Sequence, residues 1–105
     1  MELNEAVTQA KKVVESIPTK SGKNWDKKTR FIDLVEEVGE LANAILLEEG
    51  DKFETRRRAE LIDSICDVLM DILLLAGDYG IDLDKEYSKV LEDIEKRNKK
   101  GEFVD

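Results

Sequence analysis

The sequence predicts an all-α protein, a bundle of four helices whose core is completed by oligomerisation. Three observations predict it. Apolar residues recur at helical spacing and nowhere alternate at period two over a useful length. Breaks around Pro18 to Asn24, Gly50, Gly77 to Asp82 and Gly101 cut the 105 residues into four long segments. A chain of that length makes one domain, 1–105, with only a modest core of its own. Long helices of this size often finish their cores by associating.

The first helix is expected from Leu3 to Ile17, where Leu3, Val7, Ala10, Val14 and Ile17 share one face. The second is expected from Lys27 to Glu48, with Asp26 as its N-cap. The third is expected from Glu54 to Tyr79. The fourth runs from Leu83 to Lys100, capped by Asp82. It ends in Lys96, Arg97, Lys99 and Lys100, where the helix dipole favours cations.

Composition sets the outer bounds on function. The chain carries 25 acidic against 17 basic residues, a net charge of −8, which argues against a nucleic-acid partner. With no histidine, the commonest metal ligand and general base is missing. One cysteine, Cys66, allows no internal disulfide and reads as a small core residue. The N-terminus MELNEAVTQAKK is too acidic and polar for a signal peptide. The longest apolar run, Val68 to Ala76, is short and broken by Asp71, so no membrane span is expected. The expected location is the cytoplasm.

The third helix carries the chemistry. On a helical wheel Glu60, Asp63, Ser64, Asp67 and Asp71 fall within an arc of about 100°. Leu61, Ile62, Ile65, Val68, Leu69, Ile72 and Leu73 fill the rest, so this helix reads as buried nearly all round. Carboxylates on a buried helix repel one another and lose hydration. Protonation, basic partners or a divalent cation can compensate.

A second acidic cluster, Asp33, Glu36, Glu37 and Glu40, lies in the second helix. In so acidic a chain this cluster alone reads as a solvated face. Its opposite arc, Phe31, Val35, Val38, Ala42, Ile45 and Leu46, is expected to pack inward. Two antiparallel helices would set Glu37 and Glu40 beside Asp63 and Asp67. All-oxygen ligation of that kind suits Mg²⁺ or Mn²⁺.

At these residues the chain resembles a family. VEEVGELANAI resembles the EExxE motif of the MazG-like all-α nucleotide pyrophosphohydrolases. Trp25-Asp26 is similar to the Trp-Asp that opens their motif helix. CDVLMDILLLAGDYGIDL and KVLEDIEKRNKKGEF resemble later family segments. The resemblance spans Trp25 to Phe103. It implies a four-helix unit forming a homodimer or homotetramer. It also implies Mg²⁺ held by EExxE and a later ExxD, and cleavage of nucleoside triphosphates to monophosphate and pyrophosphate.

Carried over by position, Glu36, Glu37 and Glu40 match the first motif and Asp67 the end of the second. Ser64 stands where the family has the Glu of ExxD. A literal ExxD occurs one turn earlier, Glu60-Leu-Ile-Asp63. Two readings follow. Either Asp63 or Glu60 reaches in beside a weakly ligating Ser64, or metal affinity falls and activity is altered or lost. Asp71 departs from the family pattern as well; it extends the cage, contacts a sugar hydroxyl, or pairs with a cation across an interface.

The expected mechanism has Mg²⁺ gripping the triphosphate while a carboxylate, Glu37 ahead of Glu36, activates water. Trp25, Arg30, Arg97 and Lys100 are candidates for substrate contact, against plainer roles in packing, solubility and dipole compensation. A phosphoribosyl-ATP pyrophosphohydrolase is a related alternative. A non-catalytic dimerisation or nucleotide-binding module is a distinct one, kept alive by Ser64. A di-iron bundle needs ExxH pairs, and there is no histidine.

Overall fold

The computed structural model describes residues 2–18, 25–50 and 57–104, and within them there are four α-helices and no strand. They are α1 (Leu3–Ser16), α2 (Lys27–Glu48), α3 (Arg57–Asp78) and α4 (Leu83–Lys99). All of the expected loop from Pro18 to Asn24 but Pro18 itself, and the expected start of the third helix at Glu54, lie outside the described residues. None of the described helices is long and apolar enough to cross a membrane.

Local chemistry sets the helix ends. Asp26 Oδ1 accepts the Thr29 amide at 2.7 Å and Asp82 Oδ1 accepts the Lys85 amide at 3.1 Å. The bonds from Thr29 hold the Asp26 carboxyl below the usual carboxylate range. At the end of α3, Gly80 adopts φ +64°, which lets the Ile81 amide reach Ala76 O at 2.9 Å and its own amide reach Gly77 O at 3.1 Å.

The helices α2 and α3 form the most extensive contact, an antiparallel hairpin tied at both ends. Arg30 near the start of α2 meets Asp78 at the end of α3, at 2.7 Å. Glu48 at the end of α2 meets Arg58 at the start of α3, also at 2.7 Å. Helix α1 lies across α3, where Val7, Leu73 and Ala76 form the core with Ala6, Ala10 and Leu83 packed on it. The crossing is close at Gly77, where an added Cβ would come within 3.0 Å of Val7 Cγ1.

Helix α4 docks on α1 through reciprocal capping. Asp84 Oδ1 accepts the Leu3 amide at 2.8 Å, while Asn4 Oδ1 accepts the Leu83 amide at 2.9 Å. Asn4 Nδ2 also donates to Asp82 Oδ1 at 2.8 Å. Each helix start therefore satisfies orphan amides of the other.

The hairpin corrects one expectation. The polar stripe of α3 faces partly inward, with Ser64 and Asp71 buried, and much of the apolar surface faces out. Phe31, Val35, Val38, Ile45 and Leu46 of α2 are exposed, and so is Ala42. So are Ile62, Ile65, Leu69 and Ile72 of α3, with Cys66 beside them. The physical reason is that α1 covers only one side of the hairpin. The spacings 31, 35, 38, 42, 45 and 62, 65, 69, 72 alternate threes and fours, which is the pattern of a helix–helix seam.

The surface is correspondingly large. It measures 8170 Å² for a 12.0 kDa chain, against roughly 6,000 Å² for a compact monomer of that mass. The radius of gyration is 17.1 Å, against about 13 Å for a compact domain of 100 residues.

Candidate functional site

The carboxylates expected to form one cage are distributed over two cavities that share Asp67. A wide, open cleft of about 700 Å³ runs between α2 and α3. Glu36, Glu40, Glu60, Asp63, Ser64 and Asp67 line it, with Gly39 and Asn43 between them. No basic side chain lines this cleft among the described residues.

The second cavity, about 240 Å³, lies on the α1 side of the same hairpin. Glu37, Asp67, Asp33, Asp71 and Arg30 supply its polar lining, and Trp25 is among its apolar walls. Glu36 and Glu37 part ways because successive helical residues point about 100° apart.

The two cavities differ in electrostatics. Glu37 is half-buried, and its Oε2 has no hydrogen-bond partner. Burial, followed by the negative charges of Glu40, Asp67 and Asp33, raises its carboxyl above the usual range. Asp71 is only 6% exposed and its Oδ2 is likewise without a partner. Burial first, then a hydrogen bond and charge repulsion from Asp33, push Asp71 up to about 7, against a smaller opposing pull from Arg30.

Oxygen donors from two helices and the orphaned Glu37 oxygen match the chemistry of a hard divalent cation. The ligand geometry is not assembled in the single chain. Among the described residues no three acidic side chains stand where they could hold a metal ion together. Glu36, Glu40, Glu60, Asp63 and Asp67 are all exposed, so their rotamers have solvent room to turn.

The other expected site residues fall as follows. Trp25 is half-buried and lines the smaller cavity. Arg30 lines it too, but it is buried and its Nε is held by Asp78 at 2.7 Å, so it works at least as a clamp of the hairpin. Arg97 and Lys100 sit at the far end of α4 and line neither cavity. Arg97 pairs with Glu102 at 2.8 Å and lies over the Phe103 ring at 4.9 Å.

Asp33, expected in the second acidic cluster but not as a ligand, and Met70, not expected at all, also line the smaller cavity. For Asp33 a signal existed, since it stands one turn before Glu37 on the same face. Met70 had none.

No curated protein and no solved structure matches the chain. The family model for the MazG nucleotide pyrophosphohydrolase domain matches residues 26–101. That span holds α2, α3 and α4 and every carboxylate of both cavities. The chain belongs to the MazG nucleotide pyrophosphohydrolase family.

Proposed function

We propose that the protein hydrolyses nucleoside triphosphates to the monophosphate and pyrophosphate, with Mg²⁺ or Mn²⁺, as a homodimer. The observation that carries this reading is the unpartnered Oε2 of Glu37, set against Glu40 and Asp67 inside the matched domain. Glu37, Glu40 and Asp67 would hold the cation, with Glu36 and Asp63 turning in from the open cleft. Ser64 supplies at most a weak hydroxyl ligand, and Glu60 lies one turn further out. A cation held there supplies neutralisation of the triphosphate charge and a more acidic water.

The chain's own part is positioning and proton transfer. Water attacks phosphorus, the bridging P–O bond between the α- and β-phosphoryl groups breaks, and pyrophosphate leaves. Glu37 takes the proton from the attacking water. With no histidine in the sequence, a carboxylate is the base at hand.

The exposed seams of α2 and α3 support the homodimer. A second copy laid on them would cover much of the roughly 2,000 Å² by which the chain exceeds a compact monomer. That is the scale of a stable interface.

The test is pyrophosphate release from the ribo- and deoxyribonucleoside triphosphates with Mg²⁺ or Mn²⁺, in the wild type and in Glu37→Gln, Glu40→Ala and Asp67→Ala. Release by the wild type and loss in the variants is expected. Full activity in the variants would sink the site assignment. Ser64, together with the unassembled carboxylates, favours a second reading: a module that binds nucleotides without turning them over. Binding with no release from any nucleotide would select it.

A further inference from the structure

The smaller cavity holds a group that the hydrolytic step does not use. Asp71 is 94% buried, its Oδ2 has no partner, and it lines the cavity. The Asp33 carboxyl lies within hydrogen-bond reach of it. A buried carboxyl oxygen without a donor is costly, so a ligand that brings donors is favoured there.

The surroundings define that ligand. Glu37 and Asp67 add two more carboxylates, so a phosphate or carboxylate ligand is repelled. Arg30 is already committed to Asp78 through its Nε. Trp25, Val14, Met70 and Leu74 provide the apolar walls, which suit a flat ring. At about 240 Å³ the cavity is smaller than the roughly 300–1,000 Å³ clefts that take whole drug-sized ligands. A single heterocycle is the fitting size. Because Glu37 and Asp67 also belong to the proposed hydrolytic site, a base in the cavity leaves its phosphates beside that site.

We propose that this cavity receives the nucleobase, and that Asp71 with Asp33 selects bases carrying an exocyclic amino group over uracil and thymine. The inference rests on the nucleotide reading above. Cytosine, adenine and guanine offer amino N–H donors to a carboxyl oxygen. Uracil and thymine bring one ring N–H set between two carbonyl oxygens, so two carboxyls meet a single donor flanked by acceptors instead of an amino group's two donors.

Trp25 is the sole tryptophan, so its fluorescence reports on the cavity directly. Free nucleosides, titrated without metal, separate base recognition from hydrolysis. Cytidine, adenosine or guanosine is expected to bind about tenfold or more tighter than uridine. Asp71→Asn keeps the shape but turns one acceptor into a donor, and should erase or invert that preference. The ratio of kcat/KM between the matching triphosphates should move the same way.

Equal binding of all nucleosides, a preference that survives Asp71→Asn, or quenching by Mg²⁺ alone would overturn the proposal. If Asp71→Asn loses its helical circular dichroism, Asp33→Asn takes its place, and the wild-type ratio decides in any case. Hydrolysis of every triphosphate without base preference sinks this inference and leaves the proposed function standing. Preferential cytidine, adenosine or guanosine binding with no hydrolysis does the reverse.

Discussion

Arg30 Nε and Asp78 Oδ2 stand 2.7 Å apart, joining the first turn of α2 to the last turn of α3 beside the smaller cavity. The Arg30 side chain is 6% exposed, whereas Arg58 in the pair at the hairpin's other end is 71% exposed. Breaking a pair with a buried member costs more than breaking one that water solvates. Asp78→Ala should therefore lower stability by about 3 kcal/mol in urea melts. Arg58→Ala should cost less than about 1 kcal/mol. Equal costs would show that burial does not distinguish the two clamps.

The apolar seams give a second prediction. Leu69 sits mid-seam between Ile65 and Ile72, all three exposed in the single chain. Leu69→Glu should yield a monomer in sedimentation equilibrium, while the wild type sediments at twice the chain mass. The wild-type melting temperature should also rise with protein concentration. A monomeric wild type at high concentration would leave the seams unexplained.

The pH dependence follows from Asp71. Its carboxyl is pushed up to about 7 in the folded chain, from 3.8 when unfolded. Between those values the native state holds a proton that the unfolded state has lost. The resulting stability is complete below pH 3.8 and disappears as pH rises through about 7. In a chelating, metal-free buffer Asp71→Asn should flatten this slope. It should gain about 1–2 kcal/mol on the wild type at pH 8 relative to pH 4, after discounting for solvent that reaches the cavity. Parallel slopes for the two proteins would show that Asp71 ionises normally.

The close crossing of α1 over α3 gives a fourth. At Gly77 an added Cβ meets Val7 Cγ1 at 3.0 Å and the flexible Lys11 Cδ at 3.2 Å. Gly77→Ala trades a small squeeze against better helix propensity and should stay within about 1 kcal/mol of the wild type. Gly77→Leu has no room to fit and should cost about 2 kcal/mol. Thermal melts decide, and a neutral Leu variant would mean that α1 is not packed there.

Local chemistry made the helices legible. Asp26 and Asp82 cap where the sequence puts them, and α2 spans Lys27–Glu48 as its periodicity indicates. The EExxE motif and Asp67 lie on the two helices of one hairpin. What the sequence hid was orientation. A helical wheel finds the apolar arc of Val35, Val38 and Ile45 but does not say whether the chain itself or a second copy will cover it. Nor does it show that Glu36 and Glu37 open onto different cavities, which depends on where α1 lies. Asp78 as the partner of Arg30, and Asn4 as the partner of Asp84, are contacts between distant segments with no trace in local pattern.

The reciprocal caps of Asn4 and Asp84 have a kinetic consequence. Leu3 and Asp84 are 81 positions apart, so their hydrogen bond closes almost the whole chain into a ring. Such a closure costs entropy that nearby contacts do not. The hairpin of α2 and α3 can assemble first from local pieces, and the outer helices lock to one another last. Each then melts when the other lets go, so the two ends of the chain should lose amide protection as one unit.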